Sequence, residues 1–270
     1  MKLTERSRNA PALPFLLDIR QPCYQSKTHP SKQEYTLSPC QLKRIKTSTP
    51  CSMDNPINVK ICGMTRKADV EQALSLGADH VGFIVYPKSP RALPLKVAAK
   101  LAALAPEGKR VVVDVETSLD DLKRYKEAGF DRFQIHVNLP ANEQRIKGYS
   151  RLVGPDQLWL APRLAPGEPF PDWLLEYAKT VLLDTYSSKQ VGGTGHTGDF
   201  KQFAALKRRF TDTEWILAGG LNPSNILAAI QASTAVNVDV NSGVESSPGV
   251  KDPEKLRLLF QALKPGESER

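Results

Sequence analysis

Residues 110–115 read Arg110-Val111-Val112-Val113-Asp114-Val115, and residues 181–184 read Val181-Leu182-Leu183-Asp184. Neither run alternates apolar with polar. Both are apolar almost throughout, as expected of strands covered on two faces rather than one. Working outward, six more short runs carry the same signature: Val59–Cys62, His80–Tyr86, Arg132–His136, Leu158–Pro162, Trp215–Ala218 and Val236–Val240. Between them lie amphipathic stretches with helix-boundary signals. Thr65 is placed to cap a helix that stops at Gly77, with Val70, Ala73 and Leu74 facing inward. A helix over Ser118–Ala128 ends at Gly129. Asn222-Pro223 and Asp252-Pro253 each read as a cap followed by proline, opening helices through Ala232 and Leu263. Asn142–Tyr149 and Trp173–Lys179, the latter opened by Pro171-Asp172, are weaker. Eight strand–helix units in roughly 205 residues predict an α/β fold, a single (β/α)8 TIM barrel. An open doubly wound sheet is the alternative.

The chain divides at about residue 52. Of its 270 residues, 1–52 hold nine Lys/Arg and three Asp/Glu, a net of +6. Residues 53–270 hold 28 and 26, a net of +2, so the overall +8 sits in the leader and the predicted barrel offers no electrostatic case for nucleic acid. No apolar run approaches the ~20 residues of a membrane helix. The leader is interrupted by Pro11, Pro14, Pro22, Pro30, Pro39 and Pro50 and is predicted to be disordered. A transit peptide, for import into a plastid, is one alternative and a true start at Met53 is another. Three of the four cysteines, Cys23, Cys40 and Cys51, lie in it, leaving Cys62 alone in the body. That argues against a disulfide framework and for a reducing, cytoplasmic setting.

In a TIM barrel chemistry belongs at the C-terminal ends of the strands. That rule selects Cys62, Arg91, Asp114, His136, Arg163, Asp184, Gly219-Gly220 and Asp239–Gly243. Cys62 ends its strand before Gly63 and an expected helix N-terminus, with Lys60 and Arg66 near in sequence, and such surroundings lower a thiol pKa. A lone cysteine is more commonly a small buried hydrophobe. Asp184 ends an apolar run and suits a general acid if burial raises its pKa; a cap or turn is the plainer account, and Asp239 competes for the role. Gly219-Gly220 and Ser242-Gly243 follow adjacent strands where barrels hold phosphate through backbone N–H groups. Arg91 lies in a loop stiffened by Pro87 and Pro90, suited to gripping a carboxylate in a fork. Gly193-x-Gly195-x-x-Gly198 matches the dinucleotide fingerprint formally. It lies eight residues beyond the strand, and no acidic residue stands where the ribose contact is needed, so it reads as a loop that closes over a ligand.

Taken in order, these pieces resemble the phosphoribosylanthranilate isomerases of tryptophan biosynthesis. The matching text is Val59-Lys60-Ile61-Cys62-Gly63-Met64-Thr65, Tyr86-Pro87-Lys88-Ser89-Pro90-Arg91, Leu182-Leu183-Asp184, Gly192-Gly193-Thr194-Gly195, Leu217-Ala218-Gly219-Gly220-Leu221-Asn222-Pro223 and Asp239-Val240-Asn241-Ser242-Gly243-Val244-Glu245. The resemblance implies an Amadori rearrangement with Cys62 as general base and Asp184 as general acid. It further implies that Arg91 holds the anthranilate carboxylate, that Asp239 lies near the anthranilate amine, and that Gly219, Gly220, Ser242 and Gly243 hold the phosphate. His136 is expected as a further substrate contact, with a satisfied rim residue as the plainer account. No cofactor or metal is implied. The partner is the small-molecule substrate, with neither nucleic acid nor membrane, and the protein acts as a monomer or homodimer. Strands three, four and five depart from the family, with Asp114, Val137 and Pro162-Arg163 at unusual places. Competing readings are another phosphate-binding barrel enzyme of tryptophan or histidine biosynthesis, which would want a catalytic lysine or an aspartate in place of Cys62, and a non-catalytic barrel.

Overall fold

The computed structural model describes residues 56–165, 168–184 and 200–263. The leader and the glycine-rich stretch 192–198 lie outside them. Eight parallel strands close into a barrel in sequence order: β1 (Asn58–Ile61), β2 (His80–Ile84), β3 (Arg110–Val115), β4 (Arg132–Val137), β5 (Leu158–Pro162), β6 (Thr180–Asp184), β7 (Glu214–Ala218) and β8 (Asn237–Val240). β1 pairs with β8, Lys60 opposite Asp239, and this pairing seals the cylinder and removes the open-sheet alternative.

The near-continuous apolar strands follow from two cores. Inward-facing Cys62, Val111, Val113, Trp159, Ala161, Leu182, Ile216 and Ala218 fill the barrel. Outward-facing residues such as Val59, Ile61, Val81, Phe83, Phe133 and Leu160 pack beneath the helices. Each strand alternates between the two, so both sets must be apolar.

The helices are α1 (Lys67–Ser75), α2 (Leu95–Ala102), α3 (Leu119–Glu127), α4 (Glu143–Val153), α5 (Phe200–Arg209), α6 (Ile226–Ser233) and α7 (Pro253–Leu263). Ser118 and Asn142 cap α3 and α4, and Asp252 Oδ1 accepts from the Glu254 and Lys255 amides to open α7. Several boundaries differ from the sequence reading. α1 starts after Arg66, because the Thr65 hydroxyl donates instead to the Gly249 carbonyl. α6 starts at Ile226, because Asn222 Oδ1 is taken by the Ser224 amide and hydroxyl in a preceding turn. The fifth connection is a 3-10 turn, Asp172–Glu176, rather than an α-helix, whereas α4 runs on to Val153.

Candidate active site at the C-terminal mouth of the barrel

A cavity of about 390 Å³ opens where the strands end. Cys62, His136, Asp184, Gly219, Gly220, Asp239, Ser242 and Gly243 all line it, whereas Arg91, Asp114 and Arg163, also selected by the strand-end rule, do not. Ile84, Val113 and Leu182 give it an apolar floor and side. Asn241, within the selected Asp239–Gly243 stretch, and Gln134, which the strand-end rule did not select, add polar atoms.

Cys62 is buried, its amide bonded to the Val240 carbonyl at 2.9 Å. Burial pushes the thiol up, Lys60 and Lys251 pull it down, and Asp239 pushes it up again, with burial prevailing. This reverses the expectation of a lowered thiol pKa. Two of the anticipated aids are missing: Arg66 turns away to chelate Asp69 at 2.9 and 2.6 Å, and α1 begins only at Lys67. Lys60 alone keeps its expected place, because residues two apart on a strand share a face.

Beneath the thiol, Lys60 Nζ donates to Asp239 Oδ1 at 2.8 Å, with side chains 2% and 8% exposed. Burial opposes the Lys60 charge, yet Asp239 and Cys62 hold its pKa above the usual lysine value. Asp184 stands at the end of β6, exposed at the rim rather than buried as its reading as a general acid had required. His136 lies beside Gln134, nitrogen to nitrogen at 3.1 Å. Burial, then Lys60 and Arg163, push His136 down to about 4, so its ring is neutral at physiological pH.

Arg91 lies just outside the cavity. A Cβ on Gly63, the residue after Cys62, would meet its Cδ at 2.7 Å and Asn241 Oδ1 at 2.5 Å, so arginine and rim are in contact. Its Nε and Nη2 fork onto Glu245 at 2.8 and 2.6 Å, and Lys251 Nζ joins the same carboxylate at 3.0 Å. The edge expected to grip a ligand carboxylate is thus occupied from within; only the Nη1–Nη2 end of the guanidinium can receive one. Glu245 and Lys251 lie 154 and 160 positions from Arg91 in sequence, a separation at which spacing carries no signal.

Gly219 and Gly220 take φ of 102° and 62°, a path open chiefly to glycine. A Cβ on Gly243 would lie 1.9 Å from the Leu221 carbonyl oxygen, so the loops after β7 and β8 meet at a distance that no other residue permits. Asp114, the unusual residue of β3, faces away from the mouth. It accepts from the Thr117 hydroxyl and from Tyr125 on α3 at 2.8 Å, a buried structural cluster. Arg163 reaches Asn138 at 3.4 Å on the surface and does not line the cavity.

Residues 59–262 match the family model described as N-(5'phosphoribosyl)anthranilate (PRA) isomerase. The chain belongs to that family. A PRA isomerase from Syntrophus aciditrophicus is 37% identical over 208 residues, 76% of this chain and 86% of the relative. The crystal structure of TrpF from Jonesia denitrificans superposes with a TM-score of 0.64 at 31% identity, over 79% of this chain and all of that one. A PRA isomerase solved in complex with reduced 1-(o-carboxyphenylamino)-1-deoxyribulose 5-phosphate superposes with a TM-score of 0.64 at 26% identity, over 78% of this chain and all of its own.

Proposed function

We propose that the chain performs the isomerisation of its family, converting N-(5-phosphoribosyl)anthranilate to 1-(2-carboxyphenylamino)-1-deoxyribulose 5-phosphate in tryptophan biosynthesis. The observation that carries this is that Cys62, just after β1, and Asp184, at the end of β6, line one cavity from strands three apart around the barrel. Asp184 protonates the furanose ring oxygen, and the ring opens to a Schiff base. Cys62 then removes the C2′ proton, and the enol so formed relaxes to the aminoketose. One group gives a proton to oxygen while the other takes one from carbon, so they must titrate differently. Their surroundings do differ: the thiol is buried beside Lys60 and Asp239, and the carboxyl stands at the rim.

The backbone of Gly219, Gly220, Ser242 and Gly243 receives the phosphate, Asp239 faces the anthranilate nitrogen, and the free end of Arg91 receives the carboxylate. His136, neutral, serves as a hydrogen-bonding wall. Among the described lining residues there is no lysine for an indole-glycerol-phosphate synthase reaction, and Cys62 stands where the histidine-pathway isomerase needs an aspartate. No helix among the described residues is long and apolar enough to cross a membrane. A reducing compartment, the cytoplasm or a plastid, is where a lone free thiol of this kind is maintained. The test is to offer the purified protein phosphoribosylanthranilate, the histidine-pathway aminoaldose and the indole-glycerol-phosphate precursor separately. Turnover of the first alone is expected; a folded protein inert to it overturns the reading.

A further inference from the structure

Lys60 has no part in the reaction as written, yet it lies directly under the reacting thiol. Its stem lines a second cavity, of about 340 Å³, at the N-terminal end of the barrel beside Asn58, His80 and Arg132. Its ammonium rises to Asp239 at 2.8 Å. A Cβ placed on Gly82 would meet Cys62 Sγ at 3.0 Å and Lys60 Nζ at 3.1 Å, so sulfur and ammonium crowd a single point that glycine leaves open. One buried cation thus serves two anionic claimants, a carboxylate and a potential thiolate.

We propose that Lys60 is a positioning residue whose ammonium is shared between Asp239 and Cys62, and that a ligand donor engaging Asp239 turns this charge onto the sulfur. Cys62 then becomes a base only in the filled site. The inference rests on the assignment of Cys62 as base and of Asp239 as the partner of the substrate nitrogen.

The charges around Cys62 support this. Lys60 from its own strand, Asp239 from β8, Lys251 and Arg91 all act on the thiol or are acted on by it. Burial first, and then Lys60, keeps the His80 and His136 rings toward neutrality. While no ligand engages Asp239, burial and that carboxylate keep the proton on sulfur. An N–H donated to Asp239 offsets part of its negative charge, and the unchanged ammonium then favours the thiolate. The thiol proton leaves to water at the mouth of the cavity. The thiolate accepts the C2′ proton, which restores the thiol and balances the cycle.

The experiment is peptide-resolved alkylation of Cys62 by iodoacetamide across pH, on the full chain without substrate. Asp239→Asn mimics the engaged carboxylate, since the amide oxygen still accepts from Lys60. It should move the alkylation midpoint down by about one pH unit, roughly tenfold more thiolate at a fixed pH below it. Adding Lys60→Met to Asp239→Asn should move the midpoint back up, and this double variant buries no uncompensated charge. Lys60→Arg alone should stay near the unaltered protein. An unchanged or raised midpoint in Asp239→Asn overturns the proposal, as does a double variant that titrates like Asp239→Asn. Because no substrate is used, failure to turn over phosphoribosylanthranilate would leave this result standing.

Discussion

Replacing Glu245 by glutamine removes the one anion between Arg91 and Lys251. Glu245 is 4% exposed, Lys251 0% and Arg91 16%, so water replaces little of the lost charge. Breaking a buried ion pair from one side costs ~3–5 kcal/mol because the partner charge stays behind. The glutamine oxygen still accepts one bond and Arg91 reaches some solvent, which favours the lower end, ~3 kcal/mol. For a domain of this size each kcal/mol moves Tm by roughly 2–4 °C, so a drop of roughly 6–12 °C follows. The effect also depends on pH. Arg91 and Lys251 overcome burial and hold the Glu245 carboxyl below its usual value. A depressed carboxylate pKa gives stability that is complete above the unfolded value of ~4.3 and lost as pH falls through the folded one. The Tm gap between protein and variant should therefore be full at neutral pH and narrow below about pH 4. Thermal melts followed by circular dichroism at both pH values measure it. A neutral-pH loss under ~2 °C, or a gap indifferent to pH, would refute the argument that this buried triad holds Arg91 at the rim.

Gly243→Ala should raise KM for the phosphorylated substrate at least about tenfold, since its methyl group would displace the Leu221 carbonyl and part the two glycine loops; steady-state kinetics decide this. Asp114→Ala should cost ~1–3 kcal/mol in urea denaturation, by stranding the Thr117 and Tyr125 hydroxyls, while kcat of the folded variant stays unchanged because Asp114 faces α3. Deleting residues 1–52 should leave melting temperature and kcat as they were, and a loss of either would show that the barrel needs its leader.

The barrel was legible because its strands lie under helices on one side and around a filled interior on the other. Both faces are apolar, and the runs stand out from the chain. Helix starts were less legible, since Thr65 and Asn222 have the chemistry of caps but use it on Gly249 and on Ser224. Strand ends and motif together pointed to the C-terminal mouth, where Cys62 and Asp184 line one cavity. What the sequence could not reveal is pairwise. That Glu245 holds Arg91 and that Lys60 meets Asp239 across the barrel seam both depend on closure between distant segments. Nor could spacing tell that burial would outweigh Lys60 at the thiol.

Fluorescence-monitored consumption of phosphoribosylanthranilate by the protein, Cys62→Ala and Asp184→Asn tests the acid–base assignment most directly. A positioned acid or base contributes about 10²- to 10⁴-fold, so each variant should lose kcat by that much with KM little changed. Near-normal turnover by either variant would remove that residue from the chemistry.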